Sequence, residues 1–121
     1  MLDKQAILNE LPYFTGTTSY YRTMFAKVIL TDGAHFVREA CDAYWLIDAI
    51  CTHLIGREAK DNFASVKFVV KDSAGVLTLD DGNGNVFAQQ EIEYTDFPLD
   101  SINFYGEHDG LRWVLLLPSE H

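Results

Sequence analysis

The sequence predicts an α+β fold in which N-terminal helices pack on a five-stranded antiparallel meander sheet, all within one domain spanning residues 1–121. Apolar residues up to Gly56 recur at spacings of three and four, whereas beyond Phe63 they alternate with polar ones or run in short blocks divided by Gly, Asn and Asp turns. The segment Gly56-Arg57-Glu58-Ala59-Lys60-Asp61-Asn62 separates the halves, and helices followed by strands indicate α+β rather than alternating βαβ units. Length adds a third observation: 121 residues with 48% hydrophobic and 13% aromatic content supply one real core, are too few for two ordinary domains and exclude a disordered chain.

The first helix is expected over residues 2–11, where Ala6, Ile7, Leu8 and Leu11 lie about one turn apart and Pro12 stops it. Residues 14–18 read as a loop. Residues 19–30 fit two descriptions, because Tyr20, Tyr21, Met24, Phe25 and Val28 make a helical stripe while 27–30 suit a strand; a helical start giving way to a short extended piece is the expectation. Thr31 or Asp32 can cap the next helix by accepting orphan backbone N–H bonds. Val37, Cys41, Tyr44, Ile47, Asp48, Cys51 and Leu54 form its stripe and Arg38, Glu39 and Asp42 fall elsewhere, giving one helix of about six turns, bent near Asp42 and ended by Gly56.

The second half reads as hairpins. Strands 66–71 and 76–80 flank Asp72-Ser73-Ala74-Gly75, strand 86–94 follows Asp81-Gly82-Asn83-Gly84-Asn85, and strands 102–106 and 111–117 flank Glu107-His108-Asp109-Gly110. The last strand is nearly all apolar, so both its faces should be covered, with the long helix as the obvious cover. In Glu91-Ile92-Glu93-Tyr94 the pleat puts the two glutamates on one face and Ile92 and Tyr94 on the other. Asp96 and Asp100 lie just beyond, around Phe97-Pro98, where proline forces a corner.

Charge is the unusual feature. Between Lys71 and Arg112 forty residues hold no Lys or Arg and nine acids, so almost all of the formal charge of −9 belongs to the second half. That asymmetry argues against direct nucleic-acid binding and for a basic protein partner, engaged by an acidic surface of Glu91, Glu93, Asp96 and Asp100 that could mimic nucleic-acid charge. The alternatives are acids that serve only solubility and protect exposed strands, and a small enzyme of undetected type using surface carboxylates. The N-terminus carries no signal-peptide pattern and no run reaches about 18 apolar residues, so a cytoplasmic protein without membrane contact is expected. Cys41 and Cys51, about 15 Å apart on one helix, are too far for a disulfide and suit a reducing compartment as buried thiols.

Each candidate chemistry has a simpler reading. Asp81-Gly82-Asn83-Gly84-Asn85 matches the first five positions of a calcium loop, with Asp81, Asn83 and Asn85 as ligands, but Val86 stands where glycine is needed and Ile92 where the closing glutamate is needed; a tight hairpin turn explains the residues alone, and no metal or cofactor is expected. Cys51 and His53, two apart on a helix, do not face each other as nucleophile and base. His35, His108 and His121 lack metal-ligand spacing. Paired carboxylates such as Glu93 with Asp96 could serve glycoside hydrolysis only at a separation the sequence does not supply. Tyr20-Tyr21 and Tyr44-Trp45 could stack bases, yet only Arg22 stands near, and aromatics at helical spacing are usually core.

Several segments together resemble a small uncharacterised family of bacterial and mobile-element proteins, a domain of unknown function. They are Phe14-Thr15-Gly16, Thr31-Asp32-Gly33, Tyr44-Trp45-Leu46-Ile47-Asp48-Ala49-Ile50, Asp81-Gly82-Asn83-Gly84-Asn85, Glu93-Tyr94-Thr95-Asp96-Phe97-Pro98-Leu99 and Leu117-Pro118-Ser119-Glu120. The resemblance implies one complete domain, brings no catalytic residues, and through its plasmid or phage setting implies an accessory or regulatory role.

Overall fold

The computed structural model describes residues 3–121; Leu2, which the spacing assigns to the first helix, lies outside them. Helix α1 (Lys4–Glu10) begins at Asp3, whose Oδ1 accepts from Ala6 N at 2.9 Å, and passes at Pro12 into a 3-10 turn over Leu11–Tyr13. Two short strands follow, β1 (Tyr21–Arg22) and β2 (Val28–Leu30), then helices α2 (Asp32–Ala40) and α3 (Tyr44–Leu54). The remaining strands are β3 (Phe63–Lys71), β4 (Ala74–Asp80), β5 (Val86–Ile92), β6 (Ser101–His108) and β7 (Trp113–Leu116), with a final 3-10 turn at Pro118–Glu120.

The fold is α+β, but its sheet has seven strands and is mixed, in the order β1-β2-β7-β6-β3-β4-β5. The expected five-stranded antiparallel meander fails in two places. Strand β2 lies parallel to β7, Val28 against Trp113, which makes β7 an interior strand and explains its apolar run. After β5 the chain does not form the next hairpin. Residues 93–100 instead cross the end of the sheet, burying Phe97 and Leu99, and return β6 to the far side of β3. Thr95 N donates to Ser73 O and Val70 N to Asp100 O, both at 2.8 Å, so the crossing segment is tied to the strand ends that it passes.

Strand β5 stops at Ile92 rather than residue 94, because Ile92 faces Gly75 and β4 begins only one residue earlier, leaving Glu93 and Tyr94 no ladder to join. Tyr94 is accordingly exposed, whereas Ile92, expected on the same face of the pleat, is partly buried against the core. Leu111, expected in the last strand, sits in the preceding turn with its backbone N–H donating to Asp109 Oδ1.

The expected long helix is two helices. Asp42 adopts a left-handed φ of 51°, and Ala43 N donates to Arg38 O at 2.9 Å across the break, a closure that ends α2 and redirects the chain into α3. Gly56, at φ 96°, follows the end of α3 as expected. No helix covers residues 19–30, where Tyr20 and Met24 are exposed. The helices cover one sheet face, on which Val28, Leu30, Trp113, Leu115, Phe104, Val66, Phe68, Leu77 and Leu79 meet Val37, Cys41, Leu46, Ile47, Ile50, Cys51 and Leu54. Tyr44 leaves that stripe and is half exposed.

Candidate functional site

The N-terminus of α2 is a densely hydrogen-bonded polar junction. A helix start leaves orphan backbone N–H groups, and three different side chains meet the first three: Thr17 Oγ1 accepts from Asp32 N at 2.9 Å, Glu120 Oε2 from Gly33 N at 3.0 Å, and Thr31 Oγ1 from Ala34 N at 3.3 Å. Glu120 Oε1 also accepts from Thr31 Oγ1 at 2.6 Å and from Leu117 N at 2.9 Å. Asp32 in turn accepts from Thr18 N, which holds its carboxyl below the ordinary range. Thr31-Asp32-Gly33 and Leu117-Pro118-Ser119-Glu120 are therefore two sides of one latch, in which both carboxylates accept hydrogen bonds from the chain itself.

A second junction lies at the sheet end beside β5. Trp45 packs edge-on against Phe68 (5.6 Å, 75°) and Phe68 edge-on against Phe97 (5.3 Å, 82°), while Gly75 leaves room for the Phe68 ring, whose Cε1 would stand 2.5 Å from any added Cβ. Thr95 Oγ1 accepts from Phe97 N at 3.1 Å and fixes the loop. Above this aromatic floor is a cavity of about 250 Å³ walled by Trp45, Ile92, Tyr94, Thr95 and Asp96.

The four acids of the expected surface stand in different settings. Asp100 is paired with Lys4 Nζ at 2.9 Å. Glu91 projects from the open sheet face opposite Val76, and Glu93 and Asp96 are exposed in the segment after β5. The other acids of the lysine-free window divide between two sheet ends: Asp72 lies in the β3–β4 turn near this cavity, whereas Asp80, Asp81, Glu107 and Asp109 lie at the opposite end.

The calcium-loop residues form a turn. Asp81 Oδ1 accepts from Asn83 N and Asn85 N at 2.8 and 3.2 Å, and Oδ2 from Asn85 Nδ2 at 2.8 Å, so the side chain of Asn85 foremost holds the Asp81 carboxyl below the ordinary range. Gly82 and Gly84 take φ of 90° and 87°, as the hairpin requires. Among the described residues no group of three or more His, Cys, Asp or Glu is placed to hold a metal. Burial pushes the thiols of Cys41 and Cys51 up to about 12, which keeps them un-ionised, and His53 Nε2 meets Gln90 Oε1 at 2.8 Å.

Sequence reasoning missed Arg38. It is buried, donating from Nη1 to Arg22 O at 2.8 Å and from Nη2 to His35 Nδ1 at 2.9 Å, with its guanidinium 4.8 Å from the centre of the Tyr44 ring and Nε without a partner. Its neighbour His35 stacks on Tyr21 at 3.8 Å and 5°. Desolvation, and then the Arg38 charge, lower the His35 imidazole. The periodicity that put Arg38 off the stripe could not show that β1 packs over that side of α2.

A family described as a family of unknown function (DUF6876) matches residues 5–121. No curated protein matches the chain in sequence. The crystal structure of a protein of unknown function from Enterococcus faecalis is similar in fold, with a TM-score of 0.54 and 16% identity over 81% of this chain and 98% of that one. At that identity the likeness concerns the fold alone.

Proposed function

The chain belongs to this family of unknown function, and with no activity to inherit from it we propose that it is a binding protein whose β5 end receives a cationic side chain of a basic partner. The observation that carries this is the cavity walled by Trp45, Tyr94 and Asp96, lined by no Lys or Arg among the described residues and bordered in sequence by exposed Glu93. An aromatic face attracts a guanidinium or ammonium, and a neighbouring carboxylate adds a charge-assisted bond. Tyr94 is 74% exposed, a placement that folding does not require.

Mimicry of nucleic-acid charge fits less well, since the acids are split between two sheet ends and exposed Lys67 and Lys71 share the open sheet face between them. Paired-carboxylate hydrolysis fits poorly too, because Asp96 is the one carboxylate among the residues lining the cavity. Two buried thiols suit a reducing, cytoplasmic setting. No helix among the described residues is long and apolar enough to cross a membrane. An accessory role in a bacterial plasmid or phage setting is compatible with this reading.

The test is fluorescence anisotropy with labelled arginine-rich and lysine-rich peptides at two salt concentrations, with a fully acetylated lysine peptide as control. Binding that weakens with salt, disappears on acetylation and drops about tenfold in Tyr94→Ala or in the Glu93→Gln/Asp96→Asn pair is the expected result. Equal binding by those variants would transfer the effect to general surface charge. Absence of binding to either basic peptide would end the proposal.

A further inference from the structure

The opposite edge of the sheet carries the opposite chemistry. A cavity of about 320 Å³ opens between β1, β2 and the turn before β7, and two arginines, Arg22 and Arg112, line it together. They come from distant parts of the sequence: Arg22 lies opposite Ile29 at the sheet edge, and Arg112 is brought alongside by the parallel β2–β7 pairing, in which Trp113 N donates to Lys27 O at 2.8 Å. Neither arginine makes a salt bridge among the described residues, and no carboxylate lines the cavity. The nearest acid in sequence, Asp109, is occupied by the backbone N–H groups of Leu111 and Arg112 at 2.9 and 2.8 Å. A third guanidinium, that of buried Arg38, donates to the Arg22 carbonyl from behind.

In a chain of formal charge −9, Arg22 and Arg112 repel one another across one cavity, and although Arg112 feels the nearby Asp109 charge, neither guanidinium is paired with a carboxylate in a salt bridge among the described residues. Their convergence becomes favourable once an anion sits between them, because guanidinium groups bind carboxylate and phosphate oxygens through paired N–H donors. The remaining walls include Met24, Phe25 and Ile29, and the volume falls near the lower end of small-molecule sites. We propose that this cavity binds a small organic anion, its carboxylate or phosphate head held by Arg22 and Arg112 and its apolar body lying on Met24, Phe25 and Ile29.

Titration of the full chain by NMR with phenyl phosphate, benzoate and neutral benzyl alcohol tests this. The expected result is saturable binding of at least one of the two anions, with shifts around residues 22–29 and 112, and none for benzyl alcohol. Binding of both would mean that negative charge is what the site reads; binding of phenyl phosphate alone would narrow the class to phosphomonoesters. Arg22→Gln and Arg112→Gln should each weaken binding about tenfold. Both side chains are exposed, and Arg22 serves Arg38 through its backbone carbonyl, so the fold should persist, which an unchanged urea midpoint would verify. The Glu93→Gln/Asp96→Asn variant should bind as the wild type does, which separates this site from the β5 cavity. No binding of either anion at millimolar concentration, equal binding of benzyl alcohol, or wild-type binding by the double arginine variant would overturn the proposal.

Discussion

Gly33→Ala sets two effects of opposite sign against each other. Gly33 lies within α2, where alanine is normally better than glycine by about 0.8–1 kcal/mol, so propensity alone predicts stabilisation. The latch predicts otherwise. A Cβ at Gly33 would stand 2.6 Å from Leu117 Cδ1 and closer still to the Glu120 carboxylate, which accepts from Thr31 Oγ1, Gly33 N and Leu117 N. Moving that carboxylate aside loses up to three bonds to a charged acceptor, each worth roughly 1.5–3 kcal/mol when buried. Glu120 is only part-buried, so water recovers much of this and a loss of about 2–4 kcal/mol is reasonable. After the helix-propensity gain, Gly33→Ala should destabilise by about 1–3 kcal/mol in urea unfolding. Glu120→Ala should cost a similar amount, about 2–4 kcal/mol, by the same bonds. In the Glu120→Ala background the carboxylate contacts of the added methyl are gone and the Leu117 Cδ1 contact remains, so Gly33→Ala there should cost less than about 0.5 kcal/mol, a coupling of at least about 0.5 kcal/mol. A stabilising Gly33→Ala, or the same cost with and without Glu120, would refute the latch.

Other consequences can be checked alongside. Ile47, fully buried between α3 and the sheet, should cost about 2–5 kcal/mol on truncation to alanine, read as a lower urea midpoint. Because the His35 imidazole is held below its ordinary value, the folded state binds fewer protons than the unfolded one below about pH 6.5. Its contribution is therefore full above that value and is lost as pH falls through the folded pKa. The urea midpoint should fall from pH 7.5 to 5.5 less steeply in His35→Gln than in the wild type. Calcium should leave the melting temperature unchanged, since the Asp81 carboxylate is already committed to Asn83 and Asn85. A real site at 100 times its dissociation constant would add about 2.7 kcal/mol.

Much of the fold was legible because it rests on local patterns. Ile47, Cys51 and Leu54 repeat at helical spacing, and the turns at Asp72-Ser73 and Asp81 to Asn85 announce their hairpins. What was not legible depends on partners remote in sequence. Strands of two and three residues, such as β1 and β2, carry no period, and the parallel union of Val28 with Trp113 joins segments some 85 positions apart. The exchange of a fifth meander strand for a crossover was hidden for the same reason, as Phe97 and Leu99 show apolar character without saying which sheet end they close. At the candidate sites, sequence indicated the carboxylates but not the Trp45 wall beneath Tyr94, and nothing in the spacing of Arg22 and Arg112 suggested that they share a cavity.

Four of the six motif segments find structural duties at two junctions, the latch on α2 and the aromatic floor under residues 93–99, and that division isolates the residues the fold does not need. Tyr94, Glu93 and Asp96 remain at the β5 edge, Arg22 and Arg112 at the β1 side. Seven strands separate the sheet edges by six gaps of about 4.8 Å, roughly 29 Å in all. The Debye length at physiological ionic strength is about 8 Å, so an anion neutralising the arginines would leave the field at Asp96 almost unaltered. Coupling between the two edges would have to pass through packing, from Arg38 and α2 across the Asp42 break into α3 and Trp45. The break is closed by the Ala43-to-Arg38 backbone bond and both helices are seated on the same core, so the path is rigid at both ends. The two cavities should therefore fill independently, each leaving the other's affinity unchanged within about twofold. A larger mutual effect in NMR titrations of one ligand at saturation of the other would place a movable element between α2 and α3 that this packing does not contain.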